Sequence, residues 1–386
     1  MDVLTQYGCH VLDIGQAVIH NQLTLGVLAE VPESLAGTVL GSEINASLKN
    51  MRVEVAAVTH NDYQSWINAQ GKPRHILTLL ARKIEAQHIA KVTALIAGHG
   101  LNIDKITRLS GRVALQQPAD TSSKACVEFS LRGDIANETQ VRSVLLELAN
   151  VLDVDIAVQE DNMFRRNRRL VAFDMDSTLI EAEVIDELAK LAGVGDQVVA
   201  ITESAMRGEI DFKQSFTQRV ALLEGLDESA LNEVASKLRL TEGAQTLVAT
   251  LNQLGYKTAI LSGGFDFFAN RLKDQLGFDY VYANQLDIAG GKVTGKVVNT
   301  IVDGERKAEL LKEIAEQEGI ALEQVIAVGD GANDLPMLSL AGLGIAFRAK
   351  PLVKQSARQS ISNLGLDGIL YLLGISDREL IGVKRQ

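Results

Sequence analysis

The chain has 386 residues, 46% of them apolar and 23% charged, which marks an ordinary soluble protein longer than one typical domain and able to build a sizeable core. Its net charge of −11 argues against generic nucleic-acid binding, and no uninterrupted apolar run reaches membrane-spanning length. The start, Met1 to Gln6, lacks the regions of a signal peptide, and Cys9 and Cys126 give neither a disulfide framework nor a metal spacing, so a cytoplasmic protein with reduced thiols is expected.

The clearest early pattern begins near His75. Residues 75–81 read as a strand, 85–98 as a helix, 101–111 and 126–133 as strands, 138–152 as a helix and 154–159 as a strand. That order, βαββαβ, is the ferredoxin-like pattern. A shift of 89 positions lays Val3 on Val92, His10 on His99, Leu12 on Leu101 and Ile14 on Ile103. The first 60 residues therefore read as a copy that starts partway into its first helix, with strands at 11–19, 22–29 and 52–58 and a helix at 35–48.

Both copies resemble the ACT family of small α+β regulatory modules, a truncated one over residues 1–70 and a full one over 74–160. The resemblance implies side-by-side pairing and a possible amino-acid effector. Ala81-Arg82-Lys83 stands where effector-binding modules commonly carry Gly, so a structural or dimerising role stays open beside effector binding. The first copy lacks its first strand, which leaves a sheet edge as a template for another chain, and a homodimer is expected. Polar linkers are expected at 70–73 and 159–167, and Arg165, Arg166, Arg168 and Arg169 read as a short basic linker.

Beyond Arg168 the chain changes character. The apolar run Val171-Ala172-Phe173 ends in Asp174-Met175-Asp176-Ser177-Thr178, two carboxylates one residue apart at a strand end. Such a pair can hold a divalent metal while one carboxylate attacks. Thr258-Ala259-Ile260-Leu261 leads into Ser262-Gly263-Gly264, where a hydroxyl and backbone N–H groups can cradle phosphate oxygens. Lys307 opens a helix, a poor place for a cation beside the helix dipole, which points to another purpose. Val325-Ile326-Ala327-Val328 leads into Gly329-Asp330-Gly331-Ala332-Asn333-Asp334, a loop rich in oxygen ligands for a hard cation.

These four blocks, in this order, resemble the motifs of the haloacid dehalogenase superfamily of phosphohydrolases: Asp-x-Asp-x-Thr, Ser/Thr, Lys and Gly-Asp-Gly-x-Asn-Asp. The resemblance implies an α/β fold, a Rossmann-like core with a helical cap at about 183–240, in a domain over 168–386. It also implies phosphoryl transfer through an aspartyl phosphate. Asp174 would attack phosphorus and Asp176 would serve as acid and then base. Asp330, one oxygen of Asp174 and the backbone carbonyl of Asp176 would hold Mg²⁺, with Asp334 as a further ligand or supporting group. Ser262 and Lys307 would bind the transferring oxygens.

The cap segment narrows the substrate. Glu183, nine positions after Asp174, and Arg219 are an anion and a cation suited to the ammonium and carboxylate of an amino acid. With Ala205-Met206-Arg207-Gly208-Glu209-Ile210-Asp211-Phe212 and Ser262-Gly263-Gly264-Phe265-Asp266-Phe267-Phe268, they resemble the phosphoserine phosphatase family. That resemblance implies O-phospho-L-serine as substrate, the last step of serine biosynthesis, and contacts from Gly263 and Asn333. A phosphatase or phosphotransferase acting on another small phosphorylated amino acid is the alternative within this chemistry, and an amino-acid-sensing regulatory protein the alternative outside it. The apolar stripe Met206, Phe212, Val220 and Leu223 reads as helix packing, and residues 280–295 as a surface hairpin turning at Gly290-Gly291.

Overall fold

A computed structural model describes residues 1–19, 22–33, 37–48, 51–112 and 123–383, which separate into two units, Met1–Gly71 and Lys72–Gln386. The first unit holds α1 (Asp2–Gln6), β1 (His10–Ile19), β2 (Gln22–Glu30), α2 (Gly37–Ser47) and α3 (His60–Ala69). β1 and β2 form an antiparallel pair, as their alternation requires, with Gly15 opposite Gly26. Residues 52–58, expected as a strand, pair with nothing among the described residues. A strand needs a hydrogen-bonded neighbour. In the second module the last strand pairs with the first, and the first unit has no counterpart of that first strand among its described residues. Helix α3, which the polar composition of residues 60–69 concealed, is capped by Thr59, whose hydroxyl accepts from Asp62 N at 3.1 Å.

The second unit begins with β3 (Arg74–Ala81), α4 (Ala86–Gly98), β4 (Asn102–Arg108), β5 (Ala125–Arg132), α5 (Glu138–Leu152) and β6 (Asp155–Glu160), a sheet of order β4-β5-β3-β6. Leu77, Leu79, Val92, Ile96, Phe129, Leu131 and Leu145 make its core, alternate strand residues meeting helix residues three or four apart. A seven-stranded sheet follows: β7 (Leu170–Phe173), then four helices α6 (Val184–Ala192), α7 (Gly195–Met206), α8 (Phe212–Ala221) and α9 (Ser229–Lys237), then α10 (Ala244–Gln253), β8 (Lys257–Phe265), α11 (Asp266–Leu276), β9 (Tyr280–Ala289), β10 (Lys292–Val298), α12 (Gly304–Gln317), β11 (Val325–Gly329), α13 (Leu335–Leu340), β12 (Leu343–Phe347), α14 (Pro351–Ser356) and β13 (Gln359–Ile361).

The order β10-β9-β8-β7-β11-β12-β13 is parallel except for β10. Strands β7, β11 and β12 are buried along their whole length, which is why they read as unbroken apolar runs rather than alternation. From β7 the chain steps one way to β8 and β9 and returns on the other side at β11. The carboxyl ends of β7 and β11 therefore flank a switch point, where open α/β sheets form a crevice. The four helices leave and rejoin the sheet through the paired residues Ile180 and Leu240. The hairpin β9–β10 is more than a surface turn: β10 accepts and donates across to the loop after α8, with Gly225 N to Val293 O at 2.8 Å and Val293 N to Leu226 O at 2.9 Å.

The second module docks on the seven-stranded sheet through polar contacts that no local pattern reveals. Arg82 binds both carboxylate oxygens of Glu242 at 2.7 and 2.6 Å, and Glu242 also accepts from Arg348. Gln359 bonds both backbone groups of Val158 on the β6 edge. Arg165 and Arg168, expected in a solvated linker, are only 7% and 8% exposed. The Arg165 guanidinium is paired with Glu128 at 2.7 Å, so this stretch belongs to the packed junction.

Asp155 closes that junction by accepting from Ser362 N at 2.9 Å and Asn363 N at 2.8 Å. Burial outweighs these two bonds and pushes its pKa from 3.8 up to about 6. A carboxyl raised on folding contributes stability that is full below its unfolded pKa and lost as pH rises through its folded pKa. Relative to Asp155→Asn, the wild type should therefore lose about 2–3 kcal/mol of unfolding free energy between roughly pH 4 and pH 7. Urea denaturation of both proteins across that range measures it, and parallel pH profiles would contradict it.

Candidate active site

The site forms where β7, β8 and β11 end side by side. Asp174 directly follows β7 and is held there by its own N–H, which donates to Val328 O of β11 at 2.9 Å. Asp330 directly follows β11. Lys307, fourth residue of α12, is fully buried, and its Nζ donates to Asp174 Oδ1 and Asp334 Oδ1, both at 2.7 Å. Asp303 caps that helix by accepting from Arg306 N at 2.9 Å, so α12 starts at the right point to aim Lys307 inward. The purpose that the helix dipole denied Lys307 is supplied by two buried carboxylates.

Asp174, Asp330 and Asp334 each place a carboxylate oxygen within 4.8 Å of the others. Three carboxylates face one ammonium, and burial and crowding together shift the proton affinities of Asp174 and Asp330. Burial, then the Asp334 charge, raises the Asp174 pKa well above the usual carboxylate range despite Lys307. Burial and the same neighbour push Asp330 up to about 7. Lys307 moves up as well: burial opposes its charge, but Asp174 and Asp334 outweigh it. A hard divalent cation fits this all-oxygen, charge-deficient set, whereas nitrogen or sulfur ligands for a softer metal are lacking in it.

The remaining expected residues surround that cluster. Asp176 is not among the three clustered carboxylates; its Oδ1 accepts from Val184 N at 3.2 Å, at the first turn of α6. Burial first, then Glu183 and Asp174, raises its pKa well above normal. Ser177 takes a positive φ of 55° and donates to Glu183 Oε1 at 2.7 Å, so the turn after β7 fixes the orientation of the Glu183 side chain. Ser262 is fully buried within β8, just past its pairing with β7, and its Oγ accepts from Gly264 N at 2.9 Å. A Cβ on Gly264 would overlap the Asp176 carboxylate, so only glycine allows this approach. Gly263 lies beneath the Phe212 ring of α8, and its carbonyl accepts from Asn284 at 2.8 Å. Asn333 is half-buried beside Gly331.

Arg219 of α8 is half-buried and makes no ion pair among the described residues; Nε reaches Ser215 O at 3.4 Å. Burial lowers its pKa, while Glu183, Asp186 and Asp176 act in the opposite direction. Four further residues help to build this region. Thr178 donates to Asp330 Oδ1 at 3.1 Å and was visible as the last residue of the first motif. Asp186, one helical turn after Glu183, carries an electrostatic link to Arg219. Asn284 bridges Gly263 O and Val302 N, a role only the tertiary fold creates. Phe212 was assigned to packing alone, and Met206 of the same stripe is 63% exposed.

These elements define a haloacid dehalogenase-like hydrolase, and the model of that family matches residues 171–339; models of the ACT domain match residues 1–57 and 73–159. The chain is 40% identical over 380 residues to the phosphoserine phosphatase of Streptomyces coelicolor, across 98% of this chain and 89% of that protein. It belongs to the phosphoserine phosphatase family. Among solved structures, an HAD family hydrolase from Salmonella enterica serovar Typhi superposes with TM-score 0.67 at 32% identity, over 78% of this chain and 99% of that one. A phospho-aspartyl intermediate analogue of phosphoserine phosphatase superposes with TM-score 0.51 at 44% identity, over 53% of this chain and 98% of that one.

The charge balance yields a stability test. Lys307→Met removes the only cation bonded to Asp174 and Asp334 among the described residues and leaves two buried carboxylates unpaired. Breaking such a network from one side should cost about 3–5 kcal/mol, seen as a lower denaturation midpoint, and a midpoint unchanged from wild type would contradict the described pairing.

Proposed function

We propose that this chain hydrolyses O-phospho-L-serine to L-serine and phosphate with Mg²⁺, through an aspartyl phosphate on Asp174, as the last step of serine biosynthesis. The observation that carries the reading is the Asp174 carboxylate at a strand end, bonded to buried Lys307 and facing Asp330 and Asp334. Support also comes from the family and from the related phospho-aspartyl analogue structure.

Asp330, one oxygen of Asp174 and the backbone carbonyl of Asp176 would hold Mg²⁺, with Asp334 as a further ligand or support. The ion would offset the repulsion between the Asp174 carboxylate and the phosphate dianion. In the reading, Asp174 attacks phosphorus and the bond from phosphorus to the serine oxygen breaks, with the Asp176 proton passing to that oxygen. Asp176 then takes a proton from water, whose oxygen attacks the phosphorylated Asp174 and releases phosphate. Lys307, Ser262 and the N–H groups of the Gly263 turn bind the transferring oxygens, and Asn333 completes the phosphate contacts. Arg219 takes the substrate carboxylate, and Glu183 takes its ammonium.

Asp174→Asn should keep the fold and lose essentially all turnover, because an amide is a poor nucleophile; near-normal turnover by the pure variant would remove the covalent route. Arg219→Ala should lower kcat/KM for phosphoserine about 10–100-fold, the equivalent of a lost charged hydrogen bond, and should spare an aryl phosphate that has no carboxylate. Equal losses on both substrates would assign Arg219 to folding instead.

We also infer a homodimer formed through the first unit. Ile14, Val18, Leu23 and Leu25 of its hairpin are 56%, 64%, 61% and 52% exposed, an apolar face that a second copy would cover. Light scattering should give twice the chain mass at micromolar concentration, and Ile14→Lys with Val18→Lys should give monomer. A wild-type monomer, or a dimer indifferent to both substitutions, would contradict this assembly.

A further inference from the structure

The inserted helices α6 to α9 join the sheet through a two-stranded neck, and the second ACT module holds one strand of it. Outgoing residues 179–181 and returning residues 239–241 run antiparallel, with Ile180 opposite Leu240. Glu181 N donates to Arg239 O at 3.0 Å, and Thr241 N donates to Leu179 O at 2.9 Å. The outgoing strand starts directly after the turn that carries Asp176, Ser177 and Thr178, and the returning strand leads directly into Glu242.

Glu242 is tied from three sides. Its backbone carbonyl accepts from Leu366 N at 2.7 Å, its carboxylate accepts from Arg348 at 2.9 Å, and Arg82, in the turn between β3 and α4, donates to both carboxylate oxygens at 2.7 and 2.6 Å. The bonds from Arg82 are the first cause that holds the Glu242 carboxyl below its ordinary range. A second tie lies beside the first. Lys124, just before β5, pairs with Asp367, and Gly243 packs so closely on Asp367 that a Cβ there would overlap its carboxylate. Arg82 and Glu242 are each about one-third exposed, and a lone pair so placed adds little, but a forked guanidinium within a charge network fixes a direction as well as a distance.

We propose that Arg82 is a positioning residue for the phosphoserine reaction: acting through Glu242, the second ACT module clamps the returning strand of the neck and so sets where α8 holds Phe212 and Arg219. Phe212 lies on the Gly263 turn and Arg219 faces Glu183, Asp186 and Asp176, so a rotation at the neck moves both groups together against the site. A misplacement of about 1 Å can cost on the order of 100-fold in rate. The kinetic effect rests on the phosphoserine reaction proposed above, whereas the hold on the neck rests on the bonds alone.

Amide hydrogen exchange and steady-state kinetics of the full chain with Arg82→Met test the clamp. Exchange at Glu181 and Thr241 should be about tenfold faster than in wild type, and unchanged in β7, in β11 and at Val158 on the β6 edge. The kcat/KM for phosphoserine should fall about tenfold, chiefly through KM, and that for an aryl phosphate without a carboxylate by no more than about twofold. Arg82→Lys, which keeps the charge but loses the fork, should lie between. Because Arg82 acts through Glu242, adding Arg82→Met to Glu242→Met should bring no further loss. Unchanged exchange at the neck, exchange raised equally at Val158, equal losses on both substrates, or additive losses in the double variant would each overturn the proposal. A wild type inactive on phosphoserine would remove the proposed function instead, and exchange at the neck would still decide the clamp.

Discussion

Three carboxylates meet one buried ammonium at the carboxyl ends of β7 and β11, and the rest of the hydrolase domain is arranged around that unequal charge. Water relieves little of the imbalance at Lys307 and Asp334, which are fully buried, or at Asp174, which is 6% exposed, whereas Asp330 is half-buried. Burial first, and the neighbouring Asp334 charge second, raise the proton affinities of Asp174 and Asp330. A site in this condition favours whatever adds positive charge, and oxygen donors favour a hard cation. The proposed chemistry uses that deficit: a carboxylate poised to attack a dianion needs its surroundings made less negative.

Holding such a site requires rigid supports, and each comes from a different element. Strand β11 fixes the backbone of Asp174, helix α12 delivers Lys307, and Thr178 orients Asp330. Gly264 lets β8 come close to Asp176, where any side chain would collide. Above them, Phe212 and Arg219 descend from one helix of the inserted segment, so a single element meets both the Gly263 turn and the acidic side chains near Glu183. Lys213 of that helix also pairs with Asp303 at 3.0 Å, but Lys213 is half exposed, and a pair of that kind adds little stability.

Much of this was legible in the chain. Buried parallel strands must be apolar on both faces, so Val171 to Phe173 and Val325 to Val328 announced themselves, and a carboxylate after each was conspicuous. The second ACT module was equally plain, since strand alternation and helix spacing agree over its whole length. What stayed hidden depends on partners distant in sequence. Residues 52–58 look like a strand but find no neighbour to pair with among the described residues. Arg165 and Arg168 look like a solvated linker, yet Glu128 and Glu323 O receive them in a packed junction. Asn284, Phe212 and Asp186 gain their places only when β9 and the helices of the inserted segment close on the Gly263 turn and Arg219.

The central claim is that Asp174 becomes phosphorylated during turnover. Rapid acid quench of the protein during reaction with radiolabelled phosphoserine, followed by peptide mapping, tests it most directly. Label is predicted on the Asp174 peptide, lost on treatment with base or hydroxylamine, and absent from Asp174→Asn. Turnover with no protein-bound label at any quench time, or label that survives hydroxylamine and maps to Ser262, would contradict phosphorylation of Asp174.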